Sequence, residues 1–338
     1  MGLSSGEAGI VTPGTHVAPF CAVGLASCIR NDSLDSKPTL HRPLSIADSS
    51  DTGVLASWEE ELQQQLRIQV LRHRVLADAC SKYQLDLRMK VPRKSHLTRL
   101  LVEDRSKVLY CEVPKVGCSN WRRVLIVLAG KATSALAIPH YEAHKNLQHL
   151  HKYNPEGITE RLKYYTKVLF VRDPFERLVS AFRDKFENPN GLFHKGYGRA
   201  IISRYRTNAS SSALKTGDGV TFTEFVQYLL DPQRPLGLNS HWKPISMLCH
   251  PCLLHYDFIG KSKNMTREAN FLLRSIGAPP DLRYPNYKDR NPQDKRTCPS
   301  IMKKYFSQLN ATERQGVYDF YHLDYLLFNY SKPLPDLL

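Results

Sequence analysis

The residues with the clearest chemical potential lie in a short turn, Pro114-Lys-Val-Gly-Cys-Ser-Asn120. A β-favouring run at 107–113 precedes the turn, and a helix is predicted after it over 121–129. Lys115 supplies a cation, and the small residues allow an anion to approach the free backbone N–H groups of the helix start. The chain contains no G-x-x-x-x-G-K-[ST] sequence. The turn therefore predicts binding of a phosphate-like anion, and a nucleoside-triphosphate hydrolase is disfavoured.

A second strand–turn–helix unit repeats this arrangement. A predicted strand at 167–171 leads into Arg172, and a helix is predicted over 175–186. Asp173 suits the N-cap position of that helix, with a proline at its first helical position. Arg172 and Ser180 are the candidate ligands for a second anion.

The positions of both turns depend on the sheet that carries them. Strands that alternate with helices predict an α/β fold with a mostly parallel sheet, with further helices predicted at 221–230, 266–276 and 312–328. Ligands of such sheets bind beyond the carboxyl ends of the strands. For one turn alone, the simpler interpretation is that its cation neutralises the sheet edge. Two such turns in one chain favour a single ligand with two anionic ends.

The charge of the chain also indicates an anionic partner. The 338 residues carry a formal net charge of +15, and residues 1–57 contain three basic and five acidic residues, so the excess lies in the remainder. Nucleic acid, an acidic glycan, an acidic membrane or a phosphorylated cofactor would each suit this excess. No nucleic-acid-binding motif is recognised, which disfavours nucleic acid. A non-catalytic polyanion-binding protein is the alternative from another functional class.

Together, the two turns resemble the paired cofactor motifs of Golgi carbohydrate sulfotransferases. The matching stretches are Val113-Pro-Lys-Val-Gly-Cys-Ser-Asn-Trp-Arg-Arg-Val-Leu125 and Val171-Arg-Asp-Pro-Phe-Glu-Arg-Leu-Val-Ser-Ala-Phe-Arg183. The family in question contains the HNK-1, chondroitin 4-O- and N-acetylgalactosamine 4-O-sulfotransferases. Stretches 248–261 and 324–330 extend the similarity, which spans about residues 87–338. The resemblance implies an α/β sulfotransferase fold with P-loop-like strand–turn–helix units.

The resemblance implies 3′-phosphoadenosine 5′-phosphosulfate (PAPS) as the sulfo donor, without a metal. The first turn would hold the 5′-phosphosulfate with Lys115 at the bridging oxygen, and the second would hold the 3′-phosphate mainly through Arg172 and Ser180. The implied cofactor-binding residues are Pro114, Lys115, Val116, Gly117, Cys118, Ser119, Asn120, Arg172, Asp173, Pro174, Phe175, Glu176, Arg177, Leu178, Val179 and Ser180.

The acceptor hydroxyl needs a general base. Related sulfotransferases place a catalytic histidine after the first cofactor helix, and His144 is the candidate there. His140 and Glu142 are its rivals. With 13 histidines in the chain, a surface or packing role for His144 is an equal alternative.

The implied acceptor is a glycan that contains N-acetylgalactosamine, sulfated on its 4-hydroxyl. The sequences of 101–105 and 111–120 most resemble the N-acetylgalactosamine 4-O-sulfotransferases that act on glycoprotein glycans. The sequence of 142–147 instead resembles the chondroitin branch of the family. The alternative acceptor is therefore a chondroitin or dermatan chain. The family usually has an aromatic and an acidic residue where this chain has Ser262 and Lys263.

Three segments are predicted along the chain. Residues 1–57 are interpreted as a variable N-terminal or stem segment without regular structure, 58–86 as a stem helix, and 87–338 as the catalytic domain. The family implies a Golgi membrane protein with a lumenal catalytic domain, but no run of 18 apolar residues predicts an anchor, and 17–29 is too short for one. Five glycosylation sequons favour the secretory route: Asn31, Asn208, Asn264, Asn310 and Asn329.

Two further motifs have simpler interpretations beside the functional ones. Cys249-His-Pro-Cys252 with His255 resembles half of a zinc site, but no second pair is present, so a disulfide or buried thiols are favoured, with the pairing left open. His241-Trp242 suits a sugar contact, although Trp242 is more simply a core residue. A basic stretch suits an acceptor groove or, by default, a solvated surface: Arg88, Lys90, Arg93, Lys94 and Arg99.

Overall fold

The computed structural model describes residues 52–85, 91–145, 147–286 and 296–333. The predictions made for residues 1–51, including the apolar run 17–29 and the sequon at Asn31, lie outside the described residues, as do Arg88 and Lys90. The other four sequon asparagines have exposed side chains. Within the described ranges, no helix is both long and apolar enough to cross a membrane.

The described part of the chain contains a five-stranded sheet in the order β3-β1-β2-β4-β5. Its strands are β1 (Leu100–Glu103), β2 (Val108–Cys111), β3 (Gln148–His149), β4 (Thr166–Val171) and β5 (Phe258–Lys261). The neighbours β2, β4 and β5 are parallel, whereas β1 pairs antiparallel with β2 and β3. The predicted α/β fold with a mostly parallel central sheet is confirmed. The antiparallel β1–β2 hairpin was not predicted.

Burial explains the composition of the central strands. Every residue of β2 is buried, as are five of the six in β4, which is the pattern expected of parallel strands covered on both faces. The register pairs Cys111 with Leu169 and Val171 with Lys261. The parallel strands therefore end at one edge, and the turns that follow β2 and β4 are neighbours.

The helices next to the parallel strands position the two turns. Helix α2 (Cys118–Leu128) follows β2, α5 (Pro174–Phe182) follows β4, and α12 (Met265–Ser275) follows β5. The other α-helices of the described residues are α1 (Thr52–Lys82), α3 (His140–Ala143), α4 (Pro155–Tyr164), α6 (Gly191–Phe193), α7 (Arg199–Tyr205), α8 (Ser211–Thr216), α9 (Phe222–Leu230), α10 (Ile245–Cys249), α11 (Pro251–Leu254), α13 (Pro299–Phe306), α14 (Ala311–Phe320) and α15 (His322–Leu327).

Local capping signals account for most of the predicted helix boundaries. Thr221 and Glu224 form a capping box at the start of α9, and α12 ends just before Gly277, whose φ is +69°. The single helix predicted over 312–328 is instead two helices, which is a correction. The chain breaks at Tyr321, a fully buried residue whose hydroxyl donates to the backbone oxygen of Trp242.

The helix predicted over 175–186 is also interrupted. The α-helix ends at Phe182, and a π-helical turn, Arg183–Glu187, continues it. The predicted apolar stripe is nevertheless buried, in a second core formed with α9, α13 and α14: Phe175, Leu178, Phe182 and Phe186. Trp242 is fully buried in this core. The π-turn changes which residues after Phe182 face the site.

Helix α1, which covers most of the predicted stem helix 58–86 and starts before it, packs on β5. Trp58 and Leu62 are buried in the main core. The Gln69 carboxamide accepts from the N–H of Ile259 at 2.9 Å and donates to its carbonyl at 3.2 Å. Within the described residues β5 is an edge strand of the sheet, and Gln69 satisfies backbone groups on its outer side.

Two disulfides involve the Cys-x-x-Cys motif, but they do not join its two cysteines to each other. Cys252 bonds Cys80 on α1, and Cys249 bonds Cys111 at the end of β2. Four cysteines are therefore consumed as disulfides, which removes the zinc interpretation of this motif. Among the described residues, no group of three or more metal-ligating side chains occurs.

Candidate active site

The turn between β2 and α2 has a tightly specified backbone. Lys115 and Gly117 both have left-handed φ angles, +70° and +75°, and α2 begins at the next residue, Cys118. A Cβ atom at position 117 would lie 2.2 Å from the hydroxyl of Tyr284, which donates to the Gly117 carbonyl at 3.1 Å. Position 117 therefore requires glycine, since both its φ and the closeness of Tyr284 exclude a side chain.

Two arginines fasten this turn to the second one. Arg172, at the end of β4, donates from Nη1 to the carbonyl of Lys115 at 3.1 Å. Arg177 is fully buried and donates from Nε to the carbonyl of Pro114 at 3.0 Å. The structure thus brings together the two turns that the sequence analysis singled out, through side chains of the second and backbone of the first.

The Lys115 ammonium lies in a compact cluster of charges. Its Nζ is 2.9 Å from Oδ2 of Asp184, and Lys185 Nζ is 3.1 Å from the same oxygen. Burial lowers the pKa of Lys115, against the opposing effect of Asp184. Although burial alone would raise it, the pKa of Asp184 is lowered by Lys115 and Lys185. Asp184 therefore stays ionised and holds Lys115 in place.

The second turn combines a cation with a buried helix start. Asp173 caps α5 by accepting from the N–H of Glu176 at 3.0 Å, and burial raises the pKa of its carboxyl to about 6. The Arg172 guanidinium is 3.3 Å from the Glu176 carboxylate. Burial lowers the pKa of Arg172, and the nearby charge of Arg296 lowers it further. Arg172 and Arg296, from two segments distant in the chain, therefore both contribute positive charge near this helix start.

The remaining predicted cofactor residues differ in what they present to a ligand. Ser180 is partly exposed on α5, and Ser119 lies in the first turn of α2. Asn120 donates to the carbonyl of Pro285 at 2.8 Å. Four side chains are buried in the protein core, where they support the turns by packing and do not face a ligand: Val116, Phe175, Leu178 and Val179.

Two histidines converge on the start of α2. Ser119 Oγ is 3.3 Å from His144 Nε2 and 3.4 Å from His140 Nε2, and the two rings are 4.7 Å apart. Burial lowers the pKa of His144, as do the charges of Arg122 and His140. At neutral pH His144 is therefore uncharged and able to accept a proton. The rival Glu142 accepts from the hydroxyl of its neighbour Tyr141 at 2.8 Å.

A buried ion network supports the histidines from the sheet side. Glu112, directly after β2, pairs with Arg122 at 2.5 Å and with Arg99 at 2.9 Å. Arg122 also donates to the carbonyl of Ala143 at 3.4 Å, next to His144. The network couples the end of β2 to the segment that carries the candidate base.

His241 lies within electrostatic reach of Lys115 and is uncharged. Burial lowers its pKa to about 3, and the charges of Lys185 and Lys115 act in the same direction. Its Nδ1 is 2.6 Å from the Asn239 side-chain oxygen. The neighbouring Trp242 is a core residue, so only His241 of this pair lies near the charged cluster.

Several residues at this site were not identified from the sequence. Asp184, Tyr284 and Arg296 each reach it from a segment without a recognisable local motif. Asp184 lies one residue beyond the Val171–Arg183 motif, in the π-helical turn that an α-helical projection of 175–186 does not describe. No local signal indicates Tyr284, which is 167 residues from Gly117.

Comparisons with known proteins identify the family of the chain. A model of the sulfotransferase family matches residues 98–331. Carbohydrate sulfotransferase 8 of Homo sapiens is 55% identical over 273 residues, which are 80% of this chain and 64% of the relative. Carbohydrate sulfotransferase 9 of Homo sapiens is 53% identical over 246 residues, 71% of this chain and 56% of the relative.

A more distant relative covers more of the chain. Carbohydrate sulfotransferase 11 of Rattus norvegicus is 39% identical over 318 residues, 92% of this chain and 85% of the relative. The chain thus spans 64% of the length of the human carbohydrate sulfotransferase 8 that it matches. No solved structure gives a significant match. The family model and these relatives show that the chain belongs to the sulfotransferase family.

Proposed function

We propose that this chain transfers the sulfo group of PAPS to the 4-hydroxyl of N-acetylgalactosamine in a glycan. The observation that carries the proposal is the hydrogen bond from Arg172 to the Lys115 carbonyl, which makes the two cationic turns one site. Two relatives named as carbohydrate sulfotransferases, 53–55% identical to this chain, support a carbohydrate acceptor. The 4-hydroxyl follows from the motif resemblance.

The residues of the site fit a donor with two anionic ends. Position 117 carries no side chain, and α2 begins at the next residue, so the first backbone N–H groups of the helix are the expected anion ligands. Residues 114–120 would hold the 5′-phosphosulfate, and 172–180 would hold the 3′-phosphate through Arg172 and Ser180. When bound, PAPS supplies an activated sulfo group attached to a phosphate leaving group.

Lys115 stabilises negative charge at the first turn. Asp184 holds its ammonium at 2.9 Å, so the cation is already oriented before a ligand arrives. A preorganised cation in a partly buried site stabilises developing charge more effectively than a mobile one in water. The start of α2 adds the partial positive charge of its free N–H groups.

His144 is the general base in this proposal. Its neutral imidazole can accept the proton of an acceptor hydroxyl, and Ser119 Oγ lies 3.3 Å from its Nε2. His140 contacts the same serine at 3.4 Å and remains the rival base. Glu142 is the weaker candidate because its carboxylate is engaged by Tyr141.

The family resemblance gives two candidates for the acceptor polymer. A glycan of glycoproteins that carries N-acetylgalactosamine is one candidate, and a chondroitin or dermatan chain is the other. A Golgi membrane location with a lumenal catalytic domain, without nucleic acid as a partner, completes the proposal. The disulfides Cys80–Cys252 and Cys111–Cys249 support a secretory compartment, because disulfides persist in oxidising surroundings.

The competing function is a non-catalytic polyanion-binding protein, for which the +15 charge alone would suffice. Thermal unfolding in the presence of 3′-phosphoadenosine 5′-phosphate separates the two functions. If the chain is an enzyme, this product should raise its unfolding temperature. Incubation with PAPS that carries a labelled sulfo group should then label chondroitin, dermatan or a glycoprotein with terminal N-acetylgalactosamine. A chain that is neither stabilised nor active on any of the three acceptors would be a polyanion-binding protein instead.

A further inference from the structure

A buried ion network lies beside the candidate base, and the proposed reaction does not use it. Glu112, directly after β2, is only 4% exposed. Its Oε1 is 2.5 Å from Nε of Arg122 on α2, and its Oε2 is 2.9 Å from Nη2 of Arg99. Because desolvation offsets much of the attraction in a buried ion pair, stability alone is a weak reason for such a network beside a reactive group.

Two further contacts fix Glu112 in one position. The Glu112 N–H donates to the carbonyl of Arg99 at 2.8 Å, and Arg99 Nε donates to the carbonyl of Glu112 at 3.0 Å. Although burial alone would raise it, the pKa of Glu112 is lowered by its hydrogen bond with Arg122 and by the charge of Arg99. Glu112 is therefore an anion at neutral pH, held by both its main chain and its side chain.

Arg122 extends the network to the segment that carries His144. Arg122 is buried, and its Nη1 donates to the carbonyl of Ala143 at 3.4 Å. Helix α3, which precedes His144, has only four residues, and a single helical turn does not hold its shape by itself. The position of His144 thus depends on contacts with neighbouring elements. Arg122 provides one of them, and Ser119 Oγ, 3.3 Å from His144 Nε2, provides another.

Charged groups from three elements act on the His144 imidazole. Burial lowers the pKa of His144 and its cationic neighbours lower it further, Arg122 most of all, whereas the charge of Glu112 raises it. Glu142, also on α3, is engaged by the hydroxyl of Tyr141. Glu112 and Arg122, although paired with each other, therefore act on His144 in opposite directions. The neighbours from α2, from α3 and from the end of β2 are Arg122 and Arg123, His140, and Glu112.

We propose that Glu112 and Arg122 are positioning residues of the reaction, which hold His144 in place and set how readily its imidazole takes the proton of the acceptor hydroxyl. The Glu112 carboxylate stabilises the imidazolium that this transfer creates, and the Arg122 guanidinium keeps the imidazole neutral beforehand. A general base is most effective when its pKa lies near the working pH, and Glu112 limits how far the surroundings lower the pKa of His144. The proposal rests on the proposed function, with His144 as its base.

The titration of His144 tests the proposal without requiring turnover. It is followed by NMR on protein with isotope-labelled histidines, and the His144 signal is identified by its loss in His144→Ala. Glu112→Gln should lower the pKa of His144, because the anion that raises it is gone. Arg122→Met should raise this pKa, because the cation is lost while Glu112 keeps Arg99 as its partner. A structural defect common to both variants would move the titration in one direction, so opposite shifts identify an electrostatic role.

Two controls accompany these variants. Glu224→Gln breaks a comparable ion pair, that of Glu224 with Arg206 at 2.6 Å, and should leave the titration of His144 unchanged. Glu112→Asp keeps the charge and should hold the pKa of His144 closer to that of the wild type than Glu112→Gln does. Shifts in the same direction in Glu112→Gln and Arg122→Met, or no shift in either, would overturn the proposal.

The acidic limb of the kcat/KM profile for sulfate transfer should follow the titration. It should move to lower pH in Glu112→Gln and to higher pH in Arg122→Met, since His144 must be neutral to accept a proton. The weaker base of Glu112→Gln should also lower kcat about threefold between the acidic and alkaline limbs, with the acceptor KM unchanged. Limbs that stay fixed while the titration shifts would contradict the proposal. Opposite titration shifts in a protein that transfers no sulfate to any acceptor would instead overturn the proposed function alone.

Discussion

Lys115 and Asp184 form an ion pair with Nζ 2.9 Å from Oδ2, which joins the loop after β2 to the π-helical turn after α5. The Arg172 side chain joins the same two units a second time, by donating to the Lys115 carbonyl. Lys115 is therefore held by its backbone and by its side chain at once. Its left-handed φ of +70° is the strained conformation that this double attachment maintains.

Removal of the Lys115 ammonium should affect turnover more than folding. Lys115→Ala should lower kcat about 100-fold or more, because charge that develops on the leaving phosphate loses its cation. The comparison is Lys303→Ala, an exposed lysine on α13, which should match the wild type. Sulfate transfer under saturating donor and acceptor measures the effect. Full activity in Lys115→Ala would remove this residue from the reaction.

The Asp184 carboxylate should set the alkaline limit of activity. Lys115 is charged below its pKa, so activity that requires the ammonium is lost as pH rises through that pKa. Asp184 raises the pKa of Lys115 against burial, so Asp184→Asn should move this limb of the kcat/KM profile to lower pH. Asp184→Glu, which keeps the charge, should retain the position of the limb. An unshifted limb in Asp184→Asn would show that the pair does not tune Lys115.

Arg172 should confer preference for a donor with a 3′-phosphate. Arg172→Gln should weaken binding of 3′-phosphoadenosine 5′-phosphate at least about tenfold, the loss typical of a charged hydrogen bond. Binding of adenosine 5′-phosphate, which lacks the 3′ group, should change much less. Arg67→Gln on the exposed face of α1 is the matched control. A similar loss for both nucleotides would place Arg172 in a general structural role.

Sequence alone predicted the parts of the site that are local in the chain. Asp173 caps α5 because a short carboxylate followed by proline satisfies a free N–H of the helix start, and this signal is contained within four residues. The Asp184–Lys115 pair spans 69 residues and depends on a π-turn that no apolar periodicity indicates.

The missed hairpin has a similar cause. The turn between β1 and β2 contains Lys107 at φ +52°, without the Asn or Gly that normally marks this backbone. The Glu103 carboxylate stabilises the turn instead, by accepting from the N–H groups of Arg105 at 2.9 Å and Ser106 at 2.7 Å. A side chain thus replaces the backbone preference that a sequence pattern would reveal.

Variants of His144 and His140 should change the pH dependence of activity in different ways. His144 must be neutral to accept a proton, so activity should fall as pH drops through its pKa, which lies below 6.5. His144→Ala should lower kcat about 100-fold and abolish that acidic limb. His140 lowers the pKa of His144, so His140→Ala should move the limb to higher pH while most activity remains. The reverse pattern would make His140 the base.

Gly117 should tolerate a methyl group only when space is made for it, and then only partly. Gly117→Ala places Cβ 2.2 Å from the Tyr284 hydroxyl and imposes a left-handed φ on alanine. The left-handed conformation alone costs about 1–2 kcal/mol, so stability should fall by more than this in the single variant. Tyr284→Phe removes the clashing oxygen together with its bond to the Gly117 carbonyl. The double variant should therefore be less destabilised than the sum of the two single variants, as measured by denaturant unfolding, whereas strict additivity would show that Tyr284 does not close over the turn.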